Sequence, residues 1–242
     1  MKNVLILFIM LVQTSLSAQT LKYTSQINLK IKEPSDVCLS ADKMHLYFVS
    51  DDGELLETDL NGNVLRSVKA NLTDAEGVYA DSSYIYVTDE FSRAICLFTV
   101  KDLSYIRSYT TAYSGGRNKA FEAITFDPVR NLFYVFTERD PAIVFLFSAT
   151  FQPMGQRELV MKGDVSAACF QNGKLWLLND EGMEVSIVNP ETFVTERTWK
   201  LAVLNPEGLA FLPDGQLIIV SDDREKMYLF PNPELLSNEK KD

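Results

Sequence analysis

The chain has 242 residues, 46% of them hydrophobic and 23% charged, which supplies apolar mass for a large core and excludes a disordered protein. Its 33 acids outnumber 23 lysines and arginines and leave a formal charge of −10, so nucleic acid and anionic membrane surfaces are poor partners. Cations, basic proteins and neutral ligands suit such a chain better.

The first residues place Lys2 ahead of an apolar run over 4–12, followed by Ser15-Leu16-Ser17-Ala18. Charge, short apolar core and small residues in that order predict a secretory signal peptide over 1–18, with the mature chain starting near Gln19. The apolar run is shorter than the roughly 20 residues that span a bilayer, so no transmembrane segment is expected in the mature chain. No cysteine follows the run, and a lipid anchor there is not expected. Residues 19–242 are read as one domain.

That domain is written as five copies of one pattern. The copies open at Pro34-Ser35-Asp36-Val37, Asp74-Ala75-Glu76-Gly77-Val78, Phe121-Glu122-Ala123-Ile124, Val165-Ser166-Ala167-Ala168 and Pro206-Glu207-Gly208-Leu209. The anchors Ser35, Glu76, Glu122, Ser166 and Glu207 recur every forty-odd residues, the period of a four-stranded propeller blade. A second strand follows in each copy, over 46–49, 84–87, 133–136, 175–178 and 217–220. These runs are apolar at every position, as a strand is when both its faces are buried between neighbouring blades. Third strands are expected over 55–60, 94–100, 142–147, 184–188 and 226–230. Turns such as Asn61-Gly62-Asn63 lead into more polar fourth strands, for example 64–69 and 194–201.

The fifth copy has no fourth strand, because only Pro231-Asn232-Pro233 and a charged tail follow Phe230. Residues 21–30 form an orphan strand at the other end of the chain. The prediction is an all-β fold, a single β-propeller of five four-stranded blades whose ring is closed by that N-terminal strand, with six blades as the alternative. The stretch 110–119, with Ser114-Gly115-Gly116, is the longest irregular segment and reads as a surface loop. Cys38 and Cys169 hold equivalent places in copies one and four, which a ring keeps apart, so they are expected to be unpaired. Cys96 reads as a small buried hydrophobe.

Strand two runs back to the face where strand one began, so two groups of acids share that face. The first comprises Glu33, Asp36, Asp74, Glu76, Glu122, Asp164 and Glu207. The second comprises Asp51, Asp52, Asp89, Glu90, Glu138, Asp140, Asp180, Glu181, Asp222 and Asp223, for which local turn formation and a role on the face stand as alternatives. Inner strands converge on the axis of a propeller. Glu76, Glu122 and Glu207, with Asp74 and Asp164 beside them, would therefore repel one another unless they hold protons or a cation. Oxygen donors without histidine or cysteine suit calcium, magnesium or manganese, and a roomy irregular ring suits calcium (Ca2+) best. Zinc and copper are disfavoured, since His45 is the single histidine and begins a strand. The chain has no EF-hand loop, phosphate-binding glycine loop, HExxH or Gly-x-Ser-x-Gly elbow.

The segments Glu33-Pro34-Ser35, Asp74-Ala75-Glu76-Gly77, Asn118-Lys119-Ala120-Phe121-Glu122, Thr137-Glu138-Arg139-Asp140-Pro141, Asp164-Val165-Ser166 and Asn205-Pro206-Glu207-Gly208 resemble the SdiA-regulated family of bacterial propeller proteins. The resemblance spans nearly the whole mature chain. It implies an exported, periplasmic or envelope-associated propeller, with calcium as a ligand and a more distant relation to NHL-repeat and gluconolactonase-like propellers. Asp36, Ala120, Ala123 and Ala167 stand where the family pattern is glycine-rich, and their side chains are expected to narrow the channel mouth. The function expected is that of a non-enzymatic, calcium-binding module for an unidentified small ligand or envelope protein, on a monomeric chain. The alternative is a metal-dependent hydrolase of lactones or esters, with the cation polarising a carbonyl and a ring carboxylate as base.

Overall fold

A computed structural model describes residues 18–111, 120–139, 141–161 and 163–237. The expected export signal, most of the expected long loop, Asp140 and the end of the charged tail lie outside the described residues.

Two short strands come first, β1 (Gln19–Leu21) and β2 (Ser25–Asn28). Blade one follows as β3 (Pro34–Leu39), β4 (His45–Ser50), β5 (Glu54–Asp59) and β6 (Val64–Lys69). Blade two is β7 (Ala75–Ala80), β8 (Tyr84–Asp89), β9 (Ala94–Thr99) and β10 (Tyr105–Thr110). Blade three is β11 (Phe121–Asp127), β12 (Leu132–Thr137), β13 (Ile143–Ser148) and β14 (Pro153–Glu158). Blade four is β15 (Ala167–Gln171), β16 (Lys174–Asn179), β17 (Glu184–Val188) and β18 (Thr195–Leu201). Blade five carries β19 (Pro206–Phe211), β20 (Leu217–Ser221) and β21 (Lys226–Phe230), before a 3-10 turn over Leu235–Ser237.

Each blade is an antiparallel sheet in chain order, and the five inner strands touch their neighbours around a closed ring. The five-bladed expectation holds. The N-terminal strand closes the ring as expected, because β2 pairs antiparallel with β21 as the fourth strand of blade five. One detail differs from the sequence reading. The orphan segment is two strands, and β1 adds to blade four in parallel, with Leu21 opposite Leu201. A single stretch of chain thus ties two blades together and covers the edge of β18.

The core lies between blades, in five apolar clusters, one at each interface. Alternate residues of a second strand serve different clusters. Tyr47 and Val49 of β4 pack toward blade two, whereas Leu46 and Phe48 pack toward blade five. That division is why these strands lack a polar face. Outer strands read the other way, and β14 is exposed at every position. Among the described residues no helix is long and apolar enough to cross a membrane. Cys38, Cys96 and Cys169 are free, as expected.

Polar links join the blades at their edges. Arg66 of β6 reaches the carbonyls of Val100 and Lys101 in blade two, at 2.6 and 2.5 Å, while also pairing with Glu57. Arg130 bonds Asp127 at 2.9 Å within blade three and Glu191 of blade four at 2.6 Å.

Candidate functional site

Four inner strands carry a register irregularity near their start, at Ser35, Glu76, Glu122 and Glu207. A bulge turns the extra residue out of the ladder, and here it presents the anchor side chain to the channel. The residues that follow must be small where blades meet. A Cβ on Gly77 would lie 2.6 Å from the Glu122 carbonyl oxygen and 2.9 Å from Ala123 Cα, so the third position of β7 admits glycine alone.

Asp36 breaks that rule and shows what an acid can do there. Its carboxylate accepts the Val78 N–H of blade two at 2.9 Å and the Leu209 N–H of blade five at 3.3 Å, joining blade one to both of its neighbours. Burial pushes its pKa well above the usual carboxylate range, while the N–H groups of Val78, Val37 and Leu209 pull it back. Asp36 is thus a buried bridge between neighbouring blades.

Above this bridge the channel opens into a cavity of about 210 Å³. Blade one contributes Asp51 to its lining, blade two Glu76, blade three Glu122 and Glu138, blade four Asp164, Ser166 and Asp180, and blade five Glu207 and Asp222. Asp74 and Glu90 stand beside it. The carboxylate oxygens of Asp74, Glu76 and Glu90 lie within 4.8 Å of one another, as do those of Glu90, Glu122 and Glu138. All five residues expected from sequence to hold a cation, Glu76, Glu122, Glu207, Asp74 and Asp164, are therefore in or next to one cavity. Glu33 is not, and its carboxylate pairs with Lys32 at 3.3 Å on the rim.

The second group of acids divides by a rule that sequence reasoning left open. Asp51, Glu90, Glu138, Asp180 and Asp222 each follow the last residue of a second strand, and they are the ones at the cavity. Their neighbours bond other groups. Asp89 accepts the Ser92 hydroxyl at 2.6 Å, Asp52 lies 3.6 Å from Lys32, Glu181 pairs with Arg139 and Asp223 accepts the Asn205 amide. The signal that could have separated them is position, one step past each strand. In blade one the anchor is Ser35, whose hydroxyl donates to Asp51 at 2.6 Å.

Electrostatics in the cavity are dominated by burial and mutual repulsion. Glu76 and Glu122 are pushed well above the usual range, first by desolvation and then by surrounding carboxylates. Glu207 rises to about 8 for the same reasons, and Asp51, Asp180 and Asp222 are raised as well. Glu90 rises to about 7 through burial, opposed by the Ala120 N–H that donates to its Oε1 at 2.7 Å. Asp164 is 3% exposed, and its buried Oδ1 has no hydrogen-bond partner among the described residues. Arg139 supplies a positive charge at this ring, pairing with Glu138 at 2.9 Å. Carboxylates crowded this way can take up protons or bind a hard cation through oxygen.

At the other end of the channel, beyond Asp36, a second cavity of about 410 Å³ has a more apolar lining that includes Cys38, Tyr79, Cys169, Phe170 and Phe211. Both thiols thus face one space although their blades are not adjacent. Burial raises both pKa values, that of Cys169 to about 12.

Fold and site together define a five-bladed β-propeller with an acid-lined channel mouth. The profile of the SdiA-regulated family matches residues 15–230, and the chain belongs to that family. Among solved structures, the crystal structure of Myxococcus xanthus glutaminyl cyclase is similar at a TM-score of 0.70. The match covers 88% of this chain and 96% of that one at 12% identity, a likeness of fold. No curated protein matches the sequence.

Proposed function

We propose that this protein is an exported, calcium-binding propeller that acts as a ligand- or partner-binding module of the bacterial envelope. The observation that carries the reading is Asp164 Oδ1, buried without a partner on a cavity whose other walls are carboxylates. An unpaired buried oxygen of this kind is costly, and a cation in the cavity would satisfy it. Glu76, Glu122 and Glu207 would hold the ion with Asp74 and Asp164 close by. Calcium suits oxygen ligands drawn from several blades, because it accepts six to eight at irregular angles, whereas magnesium demands a tight octahedron. Export rests on the order of residues 2–18.

The test is thermal melting of the purified protein in chelator, in millimolar calcium and in millimolar magnesium. Calcium should raise the melting temperature more than magnesium, by mass action on the folded state. Glu122→Gln should blunt the calcium response, and Asp223→Asn, at an exposed acid outside the cavity, should leave most of it. Identical melts in chelator and calcium, with no heat of binding by calorimetry, would remove the cation from this reading.

A second reading is favoured by Glu90, a carboxylate beside the cavity that burial raises to about 7, in the range of a general base near neutrality. In that reading the cavity is the site of a metal-dependent lactone or ester hydrolase. Assay of lactones and aryl esters with and without calcium separates the two, since a binding module turns over neither.

A further inference from the structure

We infer that the second cavity, at the end of the channel away from the acids, binds a neutral, largely apolar ring compound that carries a hydrogen-bond acceptor. The inference rests on the ligand-binding part of the reading above, names the site and chemical class of that ligand, and does not depend on the cation.

The space is of ligand size. Its volume of about 410 Å³ lies within the roughly 300–1,000 Å³ of small-molecule pockets, and all five blades contribute to its lining. Its aromatic walls are held from behind. Tyr79 packs edge-on against Phe133 with ring centroids 5.8 Å apart, and Phe211 meets Trp176 at 5.0 Å. The Phe170 N–H donates to the Thr125 hydroxyl oxygen at 2.9 Å and closes the seam between blades three and four. Walls fixed in this way are pre-organised for a flat ring, which meets them stacked or edge to face. Cys38 and Cys169 are only half-buried on the lining, so solvent reaches the cavity.

Charge and hydrogen bonding set the class of ligand. Among the described residues no lysine, arginine or histidine lines the cavity, so an anionic group would be buried there without a counter-charge. Asp81 is the one carboxylate on that lining. It is already engaged, accepting the Tyr86 hydroxyl at 2.7 Å and the Ser83 and Tyr84 N–H groups at 2.7 and 2.8 Å, and so creates no demand for a cation. Burial keeps both thiols protonated, with Cys169 pushed up to about 12, and no thiolate adds charge. A donor is left over. The Tyr79 hydroxyl has no hydrogen-bond partner among the described residues, and burial, followed by Asp81, Cys38 and Cys169, raises its pKa and keeps the proton on the oxygen. A carbonyl or ether oxygen on the ligand would accept that hydrogen bond.

The probe is Prodan, a neutral naphthalene ketone whose emission shifts to the blue in a dry site, with anilinonaphthalene sulfonate as its anionic counterpart. Both are titrated into the purified protein in chelator. Prodan should saturate at one molecule per chain, and the sulfonate should bind at least about tenfold more weakly, because its charge has no partner in the cavity. Tyr79→Phe, which keeps the ring, should weaken Prodan by about three- to tenfold. The thiols report the place. Methyl methanethiosulfonate passes its methylthio group to a thiol sulfur and leaves as methanesulfinic acid with the thiol proton. Bound Prodan should slow that reaction at Cys38 and Cys169 but not at Cys96, which is not on the lining, as read by mass spectrometry of peptides. Circular dichroism checks that Tyr79→Phe is folded, and protection of the wild-type thiols decides the matter if it is not. No saturable binding, or binding that protects neither thiol, would overturn the site. Equal affinity for the sulfonate with the same protection would overturn the neutral class, and unchanged affinity in folded Tyr79→Phe would overturn the hydroxyl contact. Calcium binding without Prodan binding would remove this inference and leave the cation reading standing, and the reverse result would remove only the cation.

Discussion

Each second strand ends in a buried polar residue and is followed by an acid in or next to the cavity. Thr137 Oγ1 accepts the Ile143 N–H at 2.8 Å and the Ser221 hydroxyl donates to the Leu204 carbonyl at 2.7 Å, whereas Glu138 and Asp222, one residue later, line the cavity. The two roles sit on adjacent residues of similar composition, so residue type could not separate them. Protonation follows the same geometry. Glu90 and Glu207 have folded pKa values of about 7 and about 8 against an ordinary 4.5, so between these values the folded chain binds more protons than the unfolded one. Their contribution to stability is therefore fully present below about pH 4.5 and is lost as pH rises through about 7 and about 8. In chelator, melting temperature should fall between pH 5 and 8.5, and calcium should flatten the profile by replacing the protons. Glu207→Gln, a permanent mimic of the neutral carboxyl, should melt higher than wild type at pH 8 in chelator; an unchanged pH profile would count against burial of that charge. Asp36→Ala should cost about 1–3 kcal/mol by leaving two buried N–H groups unpaired, read from urea unfolding at constant slope.

Among the elements, the inner strands combine two demands that conflict. They must expose a long acid at the bulge and then approach the next blade closely. Glu76 followed by Gly77 and Glu207 followed by Gly208 meet both, and Glu122 followed by Ala123 does so with a methyl group fully buried. Gly77→Ala should force blades two and three apart, because its Cβ would meet backbone atoms that cannot swing away. A loss of about 1–3 kcal/mol by urea unfolding is expected. The calcium response should fall with it, since Glu76 and Glu122 stand on the two strands displaced. A Gly77→Ala protein with wild-type stability and calcium response would mean that the inner strands do not set the spacing of the acids.

For the whole molecule, closure depends on the first described strands. β2 supplies the fourth strand of blade five, β1 covers blade four, and Leu21, 1% exposed, packs in the cluster between them. Deleting residues 19–30 should leave β21 with an open edge and remove Leu21 and Leu29 from two interfaces. The expected result is loss of a single cooperative melt, with aggregation seen by light scattering. Deletion of residues 19–22 alone should be milder, costing β1 and the Leu21 contact but keeping the ring closed. If the longer deletion melts as cooperatively as the intact chain, the ring is held by the blade interfaces without the N-terminal strand.

Blade number, strand order and closure were legible in the chain because they follow from periodicity. Five apolar second strands, five anchors and a missing last strand favour five blades over six, and the acids of that arrangement had to share a face because antiparallel strands return to it. The metal-ligand candidates Glu76, Glu122 and Glu207 were readable on the same ground. The division of blade-closing chain into β1 and β2 was not, because parallel pairing with β18 depends on where the neighbouring blade stands. Nor could residue pattern place Glu90 between two triads, turn Asp36 into a bridge across three blades, or bring Cys38 and Cys169 to one cavity. Those facts are distances between residues far apart in sequence, set by how closely small side chains let the blades approach, and only the packed ring decides them.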